Sequence, residues 1–132
     1  MGGDVRVMHS ISRIDEVIRI LCRLGITANY DGFYQTVHAV ELAVAAPEKL
    51  QSVTNFIYPE VAAKYNTSPD NVRKNIAKIR DIAWERNPQL ISEMAMHEIK
   101  KKPGTSEFLA ILAVYVISNH QDGFHATAMQ CG

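Results

Sequence analysis

The sequence has little cysteine, no net charge and no long apolar run, and each absence excludes a class of protein. Fourteen Lys and Arg residues balance fourteen Asp and Glu residues, so the composition gives no general signal for binding a polyanion. Any interpretation as a nucleic-acid-binding protein must therefore rest on where the charges lie. The two cysteines, Cys22 and Cys131, lie far apart, which argues against a disulfide framework and for a reducing setting. No apolar run approaches the roughly 18 residues of a membrane span, and the N-terminus lacks the apolar core of a signal peptide. We therefore expect a soluble, cytoplasmic protein.

The usual sequence signatures of enzymes and metal sites are also missing. The chain has no Gly-rich phosphate loop, no Gly-x-Ser-x-Gly motif and no Cys-x-x-Cys pair. Its five histidines are dispersed, and "MHEIKK" lacks the second histidine that a zinc-protease helix needs four residues after His97. We expect a protein that is not an enzyme and has no cofactor and no metal site.

Helical periodicity runs along most of the chain. After Ser12, which forms a capping-box pattern with Asp15, apolar residues recur at steps of three and four until Gly25 ends the helix. Prolines that suit the first turn of a helix follow at Pro47, Pro59 and Pro69. The stretch after Pro47 is expected to form one helix with Leu50, Val53 and Ile57 facing inward. A strongly apolar last helix is expected after Thr105 or Ser106. The predicted fold class is all-α, a compact bundle of about six helices that contains a helix-turn-helix.

The domain boundaries follow from where this periodicity begins and ends. Residues 1–11 are expected to form an N-terminal arm or a cloning remnant, and residues 12–119 the helical domain. After Asn119 the sequence turns polar and irregular, so residues 120–132 are expected to form a flexible C-terminal tail.

The stretch "KYNTSPDNVRKNI" has the turn chemistry of a helix-turn-helix. Ala62 and Ala63 provide the small residues where a second helix crosses closely. Asn66 tolerates the left-handed backbone that the turn requires, and Ser68 with Pro69 suits the start of the next helix. One inward stripe of that helix is formed by Val72, Ile76, Ile79 and Ala83.

The opposite face of this second helix carries residue types that contact DNA in known recognition helices. It is centred on Lys74, Ala77 and Asp81, with further cations toward its flanks at Arg73, Lys78 and Arg80. This gives four cations against one carboxylate, with Asn71 at the N-terminal end where recognition helices contact bases. A charged face is also typical of a solvated surface, so the pattern alone leaves both interpretations open.

Several motifs together resemble one known family. The stretch "FIYPEVAAKYNTSPDNVRKNIAKIRDIAWERN", then "KKPGTSEFLA", and the earlier "LGITANYDGFYQTVHAVELAV" are similar to the C-terminal DNA-binding effector domain of the stage zero sporulation protein A response regulators. The similarity runs from about Ser12 to Ser118. It implies a six-helix domain that binds double-stranded DNA, often as tandem copies or a homodimer, and contacts an RNA polymerase sigma factor.

The resemblance also implies which residues contact DNA. The family's base-reading positions fall at Asn71, Arg73, Lys74, Ala77 and Lys78. The candidate phosphate contacts are Lys64, Ser68, Arg80, Lys100, Lys101 and Lys102.

Three of these base-reading positions differ from the family pattern. The family typically has arginine where Asn71 and Ala77 stand, and an acidic residue where Arg73 stands. We therefore expect the chain to bind DNA with an altered site preference. The family's receiver domain also has no counterpart before the first helix, so the chain is expected to be an excised domain or a free-standing relative. A helical protein-interaction module that kept the fold but not DNA reading is the alternative.

Overall fold

The computed structural model describes the backbone of residues 2–131 and the side chains of residues 13–119. Within that part of the chain the structure is all-helical and contains no strand, which confirms the predicted fold class. The α-helices are α1 Gly2–Arg23, α2 Phe33–Ala45, α3 Val53–Phe56, α4 Tyr58–Tyr65, α5 Pro69–Arg86, α6 Pro88–Ala95 and α7 Thr105–Cys131. A 3-10 helix, Pro47–Ser52, lies between α2 and α3.

The α2 helix lies at the centre of the packing and contacts α1, α4, α5 and α7. It can do so because apolar residues cover most of its circumference, as expected of a helix surrounded by others. Its buried side chains are Phe33, Thr36, Val37, Ala39, Val40 and Ala43. Thr36 is polar, and its hydroxyl is satisfied by donating to the Gly32 carbonyl at 2.8 Å.

The last helix, α7, supplies the largest share of the remaining core. Its buried residues follow steps of three and four along one face: Phe108, Leu109, Leu112, Ala113 and Val116. Since α7 contacts both α2 and α5, it supports the predicted DNA-binding helix from behind. No helix among the described residues is both long and apolar enough to cross a membrane.

The structure differs from the sequence-based prediction at several helix ends. The α1 helix begins at Gly2, so Ser12 lies inside it rather than at its N-cap. The α7 helix continues to Cys131, past the Asn119 position where the periodicity ends. A capping pattern is only a weak local preference, so it does not by itself fix where a helix begins. The domain boundaries at residues 11/12 and 119/120 stay predictions.

The segment after Pro47 forms two short helices rather than the single one expected from its periodicity. The extended backbone of Ser52, with φ −150° and ψ 83°, separates the 3-10 helix from α3. Val53 and Ile57 are nevertheless buried, as predicted, and Leu50 is partly buried. The inward-facing residues were therefore predicted correctly although the helix type was not.

Candidate nucleic-acid interface

Two helices, α4 and α5, are joined by the turn Asn66–Ser68. Asn66 has φ 54° and ψ 50°, which is the left-handed conformation predicted for it. The Thr67 backbone N–H donates to the Ala62 carbonyl at 2.9 Å and closes the end of α4. Ala62 is buried at the helix pair, as predicted, whereas Ala63 is exposed and lies outside the close approach.

The start of α5 is fixed by a side-chain cap. Ser68 is extended, with φ −93° and ψ 152°, and its hydroxyl accepts a hydrogen bond from the Asn71 backbone N–H at 3.1 Å. Pro69 occupies the first helical position, where its missing N–H costs nothing. The Asn71 side chain then donates to the Thr67 hydroxyl at 2.8 Å. These contacts confirm the predicted cap and hold the Asn71 amide at the exposed end of α5.

The inward face of α5 matches the stripe expected from the sequence. Its four residues, Val72, Ile76, Ile79 and Ala83, are all fully buried. Because α5 also contacts α2, α4, α6 and α7, its outer face is held rigidly by a packed core on the other side.

One flank of α5 is closed by the N-terminus of α2, which the sequence analysis did not anticipate. Gly32 has φ +88°, and a Cβ at this position would lie 2.8 Å from the Asn75 Cβ and 2.9 Å from the Asn75 carbonyl oxygen. The Asn75 side chain also donates to the Gln35 amide oxygen at 3.1 Å. The only sequence signal for this contact is the "DGFY" entry into α2, where a glycine precedes an aromatic residue.

The five candidate base-reading residues lie together on the solvent side of α5. Asn71, Arg73, Lys74 and Lys78 are exposed, and Ala77 is partly exposed between them. They therefore share one accessible face that extends from the first turn of α5 to its middle. Their contact with DNA bases stays a prediction.

The charge of this face is lower than the sequence count suggests, because Asp70 belongs to it. The Asp70 carboxylate accepts from Arg73 Nη2 at 2.9 Å and lies 3.3 Å from Lys74 Nζ. Hydrogen bonds from Arg73 and Lys74 lower the pKa of Asp70 below its usual value, so the carboxylate is charged at neutral pH. The face thus carries two carboxylates, Asp70 and Asp81, rather than one.

The lysine loop, defined as Lys100 to Lys102 between α6 and α7, lies beside the middle of α5. Lys102 Nζ is 3.0 Å from the Asp81 carboxylate, and Lys100 and Lys101 are exposed. Partial burial raises the pKa of Asp81, but the Lys102 hydrogen bond and the Arg80 charge outweigh it and the net shift is downward. An ionised Asp81 therefore keeps this loop next to α5.

Arg80 is placed differently from the other phosphate candidates. Its side chain is only 16% exposed and forms an ion pair with Asp81 at 2.9 Å. Its Nη1 donates to the Pro103 carbonyl at 3.3 Å and to the Thr105 hydroxyl at 3.4 Å. Arg80 therefore anchors the lysine loop to α5. Lys64 and Ser68, in contrast, are exposed at the α4–α5 turn.

A polar contact at the C-terminal end of α5 was missed by the sequence analysis. Arg86 donates from Nη1 to the Gly25 carbonyl and from Nη2 to the Tyr30 hydroxyl at 2.9 Å. Its guanidinium carbon also lies 5.7 Å from the centroid of the Tyr30 ring. The Asn87 side chain adds a donor to the Arg23 carbonyl at 3.1 Å. These contacts join the C-terminal end of α5 to the last residue of α1 and to the α1–α2 loop.

The two helices, their left-handed turn and the one-sided burial of α5 define a helix-turn-helix domain. Residues 17–116 match the model of the family described as Sporulation initiation factor Spo0A C terminal. Because the match covers most of its length, the chain belongs to this family of DNA-binding effector domains. It is therefore a DNA-binding regulator in general terms, and the family is not a catalytic one.

Proposed function

We propose that this chain reads sequence in double-stranded DNA by inserting α5 into the major groove. The observation that carries the proposal is the exposed outer face of α5, on which four polar or cationic side chains surround Ala77. An α-helix fits the major groove, and the N-terminal half of a recognition helix contacts the base edges. The rigid burial of the opposite face presents these side chains as one surface.

The residue types on this face suit particular bases. Arg73, Lys74 and Lys78 match the O6 and N7 acceptors of guanine, and the Asn71 amide matches N6 and N7 of adenine. The Ala77 methyl group suits the thymine methyl. Each well-formed bidentate contact contributes about 1–3 kcal/mol of discrimination. Because Asn71, Arg73 and Ala77 differ in kind from the family pattern, the preferred site differs as well.

Phosphate contacts are proposed on both sides of this face. Lys64 and Ser68 lie at the α4–α5 turn, and the lysine loop lies beside the middle of α5. Cations and backbone amides placed in this way fix the register of a protein on the duplex without reading its sequence. Arg80 contributes by holding the lysine loop, and it reaches a phosphate only if it leaves Asp81.

A salt titration of duplex binding tests the proposal. Affinity should fall steeply with salt, with a log–log slope of about −0.9 for each phosphate neutralised. Lys74→Ala and Lys78→Ala should weaken binding without lowering the melting temperature. Arg19→Ala is a matched control, since Arg19 is an exposed cation on α1 that pairs with Asp15 as Lys74 pairs with Asp70.

Binding-site selection tests the altered preference separately. The selected duplexes should differ from the repeated box of the sporulation regulators at the base pairs that Asn71, Arg73 and Ala77 contact. Recovery of the unchanged family box would show that these three substitutions do not alter recognition.

A protein-interaction module is the second candidate function. An apolar groove between α6 and α7 leaves Met96 85% exposed and Val114 52% exposed, which is unusual for large apolar side chains. Little duplex affinity at any salt concentration would favour this module over DNA reading.

The RNA polymerase sigma factor and a second copy of the domain are the proposed partners of the DNA-bound form.

A further inference from the structure

Asp70 is one of two carboxylates on the face of α5 that is proposed to meet DNA, which is itself an anion. It lies in the first turn of α5, and its side chain is 61% exposed. A carboxylate near a helix N-terminus is favourable, but here Ser68 already caps the helix. Exposed ion pairs contribute little to stability, so the stability of the fold does not explain why a carboxylate stands at Asp70.

The geometry of the Asp70–Arg73 contact is directional. Asp70 Oδ1 accepts from Arg73 Nε at 3.2 Å and from Arg73 Nη2 at 2.9 Å. Both donors lie on the side-on edge of the guanidinium. Arginine has five N–H groups, so the end-on edge formed by Nη1 and the second Nη2 hydrogen is not used in this contact. The end-on edge is a two-donor fork of the kind that matches guanine O6 and N7.

The second carboxylate oxygen of Asp70 faces another base-reading candidate. Asp70 Oδ2 lies 3.3 Å from Lys74 Nζ. One carboxylate therefore holds two neighbouring cations of the outer face, one on each oxygen. Fixing long side chains before binding reduces the conformational entropy that binding must remove.

We propose that Asp70 determines specificity by holding the side-on edge of Arg73 and leaving its end-on edge free to contact a guanine. The proposal rests on the proposed insertion of α5 into the major groove. The negative charge of Asp70 also repels phosphates, so it lowers affinity for any duplex in which Arg73 finds no guanine. Asp70 acts through Arg73 and is therefore a positioning residue.

Asp70→Asn tests this role because it removes the charge and keeps the shape. The probes are the duplex recovered by site selection with the unaltered protein and its single-base-pair variants. Asp70→Asn should lower discrimination at the guanine read by Arg73 by at least about fivefold, the low end for a bidentate base contact. Affinity for an unrelated duplex should rise, because one negative charge is gone from the surface.

Two further variants separate positioning from a general charge effect. In an Arg73→Ala background, Asp70→Asn should no longer change discrimination, which a double-mutant cycle measures. Glu60→Gln is the matched charge control, since Glu60 is an exposed carboxylate in the first turn of α4 that pairs with Lys49. It should leave discrimination unchanged.

The outcomes distinguish this inference from the proposed function. If the unaltered chain binds its selected duplex and Asp70→Asn discriminates equally well, the role of Asp70 is refuted and DNA reading stands. The role is also refuted if Asp70→Asn changes discrimination equally with and without Arg73. If the unaltered chain binds no duplex at any salt concentration, both proposals fall together.

Discussion

At the scale of single residues, His38 shows how packing changes the chemistry of a side chain. Its ring packs edge-on against Tyr65 with centroids 5.5 Å apart, and Nδ1 lies 3.8 Å from the Glu41 carboxylate. Burial and then the Lys64 charge lower the pKa of His38, and Glu41 opposes them only in part. The folded chain therefore favours the neutral ring.

This shift predicts that stability falls as the solution becomes acidic. The folded state binds a proton on His38 less readily than the unfolded state, whose pKa is near 6.5. Stability should therefore rise with pH between the lowered pKa and about 6.5, and be lost on acidification through that window. Urea unfolding at about pH 7.5 and about pH 5.5 measures the change. His38→Gln should reduce the pH dependence, and an unchanged pH dependence in this variant would contradict the prediction.

Gly32 carries a second residue-scale prediction. Gly32→Ala places a Cβ in a left-handed backbone and against Asn75, so it should lower the free energy of unfolding by about 2 kcal/mol or more. Gly104→Ala is the control, because a Cβ there meets nothing within 4 Å. Equal stability of the two variants in urea titrations would contradict the close approach of α2 to α5.

At the scale of elements, the start of α5 depends on one hydroxyl and one buried stripe. Ser68→Ala removes the acceptor for the Asn71 backbone N–H and should cost about 1 kcal/mol of stability. Thermal melting followed by circular dichroism measures this cost. Ser52→Ala is the control and should melt unchanged, because Ser52 precedes α3 without a side-chain cap hydrogen bond. An unchanged melting temperature for Ser68→Ala would argue against the cap.

The buried stripe of α5 predicts a much larger effect. Val72 is fully buried, so Val72→Asp places a carboxylate in the core without a partner and should unfold the helix-turn-helix. Lys74→Ala, two residues further on the outer face, should leave the circular dichroism spectrum unchanged while weakening duplex binding. A folded Val72→Asp variant would show that this face is not packed as described.

At the scale of the whole molecule, the orientation of α5 is set by contacts with distant parts of the chain. Arg86 joins its C-terminal end to the α1–α2 loop, Asn87 joins that end to the last residue of α1, and Arg80 joins its middle to the loop before α7. Such contacts hold α5 at a fixed angle, and a binding site displaced by about 1 Å loses much of its function.

Arg86→Lys tests this bracing. Lysine keeps the charge but cannot donate to the Gly25 carbonyl and the Tyr30 hydroxyl from one planar fork. We expect a loss of about 1–2 kcal/mol in stability and weaker duplex binding, although residue 86 lies outside the proposed base-reading face. Arg19→Lys, at an exposed surface pair, should change neither quantity. Unaltered stability of Arg86→Lys in urea would exclude a bracing role.

The helical fold class, the buried stripe of α5, the Asn66 turn and the Ser68 cap could all be predicted from the amino-acid order. These features depend on periodicity and on contacts between residues close in sequence, which the amino-acid order states directly. Three contacts could be found only in the packed helices: α2 covers one flank of α5, Arg80 donates to the Pro103 carbonyl, and Arg86 reaches the α1–α2 loop. These contacts join residues more than twenty positions apart, and their partners are fixed by how the helices pack rather than by any local pattern.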